Sequence, residues 1–244
     1  MKTKAIILPL LCAGMALMSC QKESGNGKLG FEIATDDIEV VQLVKSSVSD
    51  YTVLPAQGDF SLDIRREDGT AFWNGLKKDW SSQTSVMTGN YSVTASYGDT
   101  SEEGFGKPCF LGSTNFAIEP GKLTNVGITV KLTNSIVRIR CTEAFSNYFT
   151  DYTFTVKTGA SNTFSFPKSE TRAVFMDAFK FTISGTLTNQ GGTVQTFAPK
   201  EYANLEPGTC YTVTFDAGTT GGSTITISFD DKVDIVDLGF IELN

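Results

Sequence analysis

Cysteine, clustered carboxylate and paired tryptophan are the side chains here whose type and spacing could do chemistry, and histidine is absent altogether. Without an imidazole there is no Ser-His-Asp or Cys-His constellation and no His-ligated zinc or copper. A nucleophilic serine would need a lysine base, and no Ser-x-x-Lys stands in a helix-opening context. Carboxylates gather at Asp36-Asp37, at Asp99 with Glu102-Glu103, and at Asp230-Asp231 with Asp234 and Asp237. None has the Asp-x-Asp-x-Asp-Gly spacing with a distant Glu that a calcium loop requires, and each falls at a predicted turn, where Asp bonds its own backbone. They read as solvated loops. Gly191-Gly192 and Gly221-Gly222 lack a following helix and read as hairpin loops, not phosphate cradles.

The thiols Cys109, Cys141 and Cys210 show no Cys-x-x-Cys spacing. Alternation puts Cys141 on the face of Val137 and Ile139, whereas Cys210 shares a face with Thr212 and Thr214. A bridge between them is disfavoured, and three separate thiols are expected. No catalytic residue, metal or cofactor follows, and the chain reads as non-enzymatic.

Both tryptophans, Trp73 and Trp80, lie in the stretch Ala71–Trp80, which reads as a loop. Their rings suit stacking on sugars, with Asn74 and Asp79 placed to bond hydroxyls. Large aromatics more often bury their area, so plugging one end of a β-sandwich is the competing role. The two are the candidate ligand-contacting aromatics.

A different chemistry is expected at Cys20. Lys2 and Lys4 precede an apolar run from Ala5 to Met18 that ends in Leu17-Met18-Ser19-Cys20. Fourteen residues are too few to span a hydrocarbon core that needs about 20, so residues 1–19 read as a lipoprotein signal peptide. Lipidation of Cys20 would anchor the chain to a membrane, since several acyl tails hold where one is marginal. Residues 20–28 then serve as anchor and polar tether, and Gln21, not being aspartate, favours the outer membrane and cell-surface exposure. Removal of the signal leaves 18 basic against 27 acidic residues, a balance of −9 that repels nucleic acid and anionic headgroups.

The elements that must carry these groups follow period two almost throughout, which makes the chain all-β. Phe60, Leu62 and Ile64 alternate with Ser61, Asp63 and Arg65, and Tyr91, Val93, Ala95 and Tyr97 alternate with Ser92, Thr94 and Ser96. An Asp68-Gly69 turn follows the first of these strands, and only Glu143 to Phe149 suggests a helical turn. Glu119-Pro120-Gly121 and Glu206-Pro207-Gly208 each feed a strand, an echo that supports two tandem β-sandwiches, residues 29–133 and 134–244, with a short stiff connection near Leu132 to Ser135. Val233 to Asn244 is expected to form either the last strand or a strand donated to a neighbour.

Several segments, in order, carry a resemblance: Met87-Thr88-Gly89-Asn90-Tyr91-Ser92-Val93-Thr94-Ala95, then Pro108-Cys109-Phe110-Leu111-Gly112-Ser113 with Phe116, then Val130-Lys131-Leu132-Thr133-Asn134-Ser135-Ile136-Val137, then Phe145, Phe149, Asp151 and Tyr152. Together they resemble a family of Bacteroidota surface lipoproteins known as domain of unknown function forty-four ninety-three, related to fimbrillin-type adhesins. The resemblance implies two β-sandwiches of transthyretin-like or Ig-like topology, and a role in cell adhesion or as an accessory or anchor subunit of a pilus-like fimbrial assembly. It implies other pilus subunits as partners, beside the surface glycans that Trp73 and Trp80 suggest, and it supplies no catalytic residue. Fimbrillin-type pilins are cut after an arginine soon beyond the lipid cysteine, whereas this chain has none between Cys20 and Arg65, which weakens the polymerising role. The alternative reading is a glycan-binding lipoprotein of a nutrient-uptake system.

Overall fold

The computed structural model describes residues 25–34, 39–40, 46–177, 179–217, 224–229 and 232–237. The expected signal segment, Cys20, Asp36-Asp37, Asp230-Asp231 and residues 238–244 lie outside them.

The first half consists of β1 (Asn26–Ala34), β2 (Glu39–Val40), β3 (Ser46–Ser47), β4 (Ser61–Arg66), β5 (Ala71–Leu76), β6 (Ser85–Met87), β7 (Gly89–Tyr97), β8 (Gly104–Phe105), β9 (Phe110–Ile118), β10 (Leu123–Thr129) and β11 (Lys131–Leu132). One sheet has the order β10-β1-β6 and a second β11-β9-β7-β4-β5, while β2 and β3 form a small ribbon. The alternation does its expected work: Phe60, Leu62, Ile64, Tyr91, Val93 and Ala95 are all buried. At the turn after β4, the Arg66 N–H donates to the Thr70 carbonyl at 2.9 Å, and Gly69 takes φ +81, a left-handed value that favours glycine.

Two segments differ from their sequence reading. Asn26 to Lys28, placed in the tether, belong to β1, where Lys28 pairs with Leu123. Close packing is the reason glycine stands there: a Cβ on Gly27 would lie 2.5 Å from the Glu119 carbonyl oxygen. The stretch read as a loop from Ala71 opens instead with an edge strand, β5, followed by a 3-10 turn at Lys77–Asp79. Ile64 pairs with Trp73 but Arg65 with Ala71, so Phe72 is an extra residue that breaks the alternation a strand would show.

The second half runs β12 (Ser135–Cys141), α1 (Glu143–Tyr148), β13 (Phe149–Thr158), β14 (Thr163–Pro167), β15 (Val174–Met176), β16 (Lys180–Asn189), β17 (Val194–Ala203), β18 (Cys210–Ala217), β19 (Thr224–Phe229) and β20 (Lys232–Asp237). Thr142 caps α1 by accepting the Phe145 N–H at 3.1 Å, which turns the Phe145 ring into the core. The sheets have the orders β20-β19-β18-β12-β15-β8 and β14-β13-β16-β17. Of the segment expected as a last or donated strand, residues up to Asp237 pair antiparallel with β19 of the same chain.

Buried side chains form two clusters. One lies around Leu62, Ile64, Val93 and Ile128, the other around Phe154, Phe181, Val213 and Phe215, whose Phe154 and Phe215 rings stack. The first cluster also takes in Ile136, Ala173, Phe175 and Cys210, so the β12-β15-β18 sheet packs against the first half. β8 pairs with β15 across the expected boundary, and the Phe105 ring meets Phe164 and Phe166 at 6.0 and 5.3 Å. Glu103 accepts hydrogen bonds from the Thr158 hydroxyl, the Asn162 amide and the Asp177 N–H. Beneath this clasp the buried Asn134 accepts from the Cys109 N–H at 3.2 Å, donates to the Lys107 carbonyl at 2.9 Å, and its own carbonyl accepts the Gly208 N–H.

Asn134→Ala leaves a buried donor and acceptor unmatched and is expected to cost about 1–3 kcal/mol. Asn74→Ala, at an exposed position on β5, should stay within about 0.5 kcal/mol, and paired urea titrations measure both.

Candidate functional site

The structure brings the two tryptophans together. Trp73 stands on β5 and Trp80 follows the 3-10 turn, with ring centroids 5.1 Å apart in a T-shaped pair. Trp73 lies over Gly75, whose missing Cβ would meet its ring at 2.9 Å. Trp80 also meets Phe31 edge-on at 5.6 Å and donates its indole N–H to the Leu29 carbonyl at 2.8 Å. Phe72, Tyr91 and Phe116 extend the group, Tyr91 stacking on Phe116. Phe31, Phe72, Trp73, Trp80 and Phe116 are partly buried against the first core. A sugar platform uses an open ring face and a polar edge, and the Trp80 edge is already spent on the backbone.

Of the expected carboxylate clusters, Asp99, Glu102 and Glu103 are held in local contacts, while Asp234 and Asp237, read at a turn, fall on a strand instead. Asp99 accepts from the Ser101 N–H and hydroxyl, which holds its carboxyl below the usual range. Glu102 pairs with Lys107 at 2.7 Å, and Glu103 is the clasp to the second half. Asp234 and Asp237 lie on β20. Among the described residues no group of His, Cys, Asp and Glu could hold a metal ion. The three thiols are not joined: Cys210 is opposite Ile136 while Cys141 is opposite Phe215. Burial pushes the Cys141 thiol up to about 11.

Sequence reasoning missed one concave feature, a groove of about 350 Å³ along the free half of β12. The N–H groups of Ile136 and Thr142 donate to Thr209 and Phe215 on the β18 side. Alternation therefore turns the backbone groups of Ile139 and Cys141 to the opposite edge. On that edge β15 covers only Ser135 to Val137. Tyr152, Phe154 and Phe166 floor the groove, and Arg138, Arg140 and Lys168 stand at it. Glu170 lines it too, but its carboxylate is forked onto Arg172 at 2.7 and 3.0 Å, which lowers its pKa to about 2. No signal in the sequence marks this edge, because it exists only through the short reach of β15.

Arg172→Ala should return the Glu170 titration toward 4.5, followed by carboxyl NMR. In the intact chain the pair stabilises fully above pH 4.5 and loses that contribution as the pH falls toward 2, and the exposure of Arg172 to water keeps the contribution small. Cys141 should alkylate with iodoacetamide at pH 8 far more slowly than an unhindered thiol, checked by peptide mass mapping.

No helix of the described residues is long and apolar enough to cross a membrane. No curated protein matches the chain. Among solved structures, matches include a fimbrial assembly protein from Parabacteroides distasonis, 13% identical, TM-score 0.44, covering 87% of this chain and 99% of its own. A candidate cell adhesion protein from Bacteroides uniformis is 9% identical with TM-score 0.47, covering 88% and 97%. A candidate polysaccharide-binding protein from Bacteroides thetaiotaomicron is 11% identical with TM-score 0.38, covering 87% and 98%. Residues 25–241 match a family described as domain of unknown function (DUF4493), and the chain belongs to that family.

Proposed function

We propose that this chain is a non-enzymatic cell-surface protein that acts by binding, in cell adhesion or as an accessory or anchor subunit of a pilus-like assembly. In this reading Cys20 carries lipid at the outer membrane, and two β-sandwiches divided near residue 133 follow it, the first opening with β1 at Asn26 and lending β8 to a sheet of the second. The observation that supports it best is the clasp of β8, Glu103 and Asn134, which joins the two halves through main-chain, side-chain and packing contacts at once. A stiff body suits a protein that must hold a partner away from a membrane. Asp99, Glu102 and Glu103 are engaged in a turn, an ion pair and the clasp, and Cys109 and Cys210 are buried, which fits a binding role better than reaction chemistry. The glycan-binding alternative has less support, since the Trp73 and Trp80 rings pack on each other and the Trp80 N–H faces inward.

A denaturing gel of the native protein from its source cells, unheated beside heated, tests the assembly role. A ladder that collapses on heating is expected of an assembled subunit, whereas a single monomer band in both lanes removes the assembly and leaves adhesion by an anchored monomer. A palmitate analogue should label the wild-type chain and not Cys20→Ala; equal labelling of both would rule out the anchor. Soluble polysaccharides should leave tryptophan fluorescence unquenched, and strong quenching would favour the alternative.

A further inference from the structure

We propose that the open half of β12 is a docking site for an extended segment of a partner protein whose side chains alternate between apolar and acidic. The site is independent of the adhesion reading and rests on three features of the second half.

The first is backbone. Ile139 and Cys141 face an edge that no strand of the described residues covers, while their neighbours Arg138 and Arg140 bond to β18 on the other side. Four strand residues, Arg138 to Cys141, span about 13 Å, enough for a short added strand to exchange main-chain hydrogen bonds. An uncovered strand edge is a place natural proteins protect unless it is used.

The second is register. A strand laid beside β12 puts every other side chain on the same face as Ile139 and Cys141, toward the floor of Tyr152, Phe154 and Phe166. Phe154 and Phe166 are almost wholly buried beneath it, and the partly exposed Ile139, Cys141 and Tyr152 supply the apolar surface that an aliphatic or aromatic residue would meet. The intervening side chains fall on the face of Arg138 and Arg140.

The third is charge. Arg140 is exposed and makes no ion pair with a described residue, and Lys168 holds its ammonium at the groove over the Tyr152 ring, at 5.7 Å, and on the Thr150 carbonyl. Arg138 bonds the Thr212 hydroxyl and lies over Tyr51, neither of which cancels its charge. Among the described residues the single carboxylate lining the groove, Glu170, is neutralised by Arg172. The groove is thus cationic in a protein whose net charge is −7, which selects acidic residues at the intervening positions.

The test uses the full chain and a fluorescein-labelled octapeptide of alternating isoleucine and glutamate, followed by anisotropy at rising salt. Saturable binding that weakens with salt is expected, with none for the matching isoleucine–lysine peptide. N-methylation of alternate peptide bonds should weaken it by at least about tenfold, because one register's N–H groups are removed. Arg140→Glu combined with Lys168→Glu, both at exposed positions, should weaken it similarly and admit the lysine peptide. Equal binding of parent and N-methylated peptides would show charge attraction without strand addition and overturn the proposal, as would indifference to the double substitution. Sedimentation of the chain alone is the remaining arm: self-association lost in the double variant would make a second copy the occupant and overturn it too.

Discussion

The pairing of β8 with β15 is the contact on which much of the rest depends. Only Gly104 and Phe105 supply it, yet it carries the loop between β7 and β9 across to the other half of the chain and sets Glu103 and Phe105 against β14, β15 and the turn after β13. Gly104 makes the crossing possible with φ +151, a backbone conformation that L side chains rarely adopt. With β8 on one flank of β15, the other flank reaches β12 for three residues before the chain has to turn away, and the open edge beyond Val137 is the result. The clasp and the groove are two outcomes of one short strand.

Burial is distributed in keeping with that clasp. Ile136, Phe175 and Cys210 share the first cluster although they follow the expected boundary in sequence, whereas Val137, Val174 and Val213 turn into the second. The β12-β15-β18 sheet is therefore buried on both faces over part of its length, which is why Ile136 and Val137 are both inaccessible to water where a one-sided strand would alternate.

That difference also decides what was legible in the sequence. Strands with one wet face announce themselves: the alternation of Leu62 with Asp63 or Val93 with Thr94 fixes both the element and its buried side, and the stretch from Glu143 suggests a helical turn without revealing its Thr142 cap. Strand β5 was hidden by the extra Phe72, the start of β1 by glycines that exist for close packing, and β8 and β15 by being shorter than any periodicity can register. The tryptophans were found as a pair, but their mutual packing and the turn of the Trp80 N–H toward Leu29 depend on a contact 51 residues away. The groove depends on which strand ends first, a property of tertiary pairing that no local window contains.

The parallel pairing of β1 with β10 has a mechanical consequence. Seven consecutive residue pairs, Lys28 with Leu123 through Ala34 with Thr129, join the amino-terminal strand to the strand from which the chain passes on toward β12. A pull on the amino-terminal end of β1, resisted beyond the carboxyl-terminal end of β10, draws two parallel strands in opposite directions along their common axis. The whole ladder is then loaded in shear at once, where an antiparallel hairpin pulled from its two adjacent ends would unzip one bond at a time. Tension entering at that end meets the full set of hydrogen bonds together.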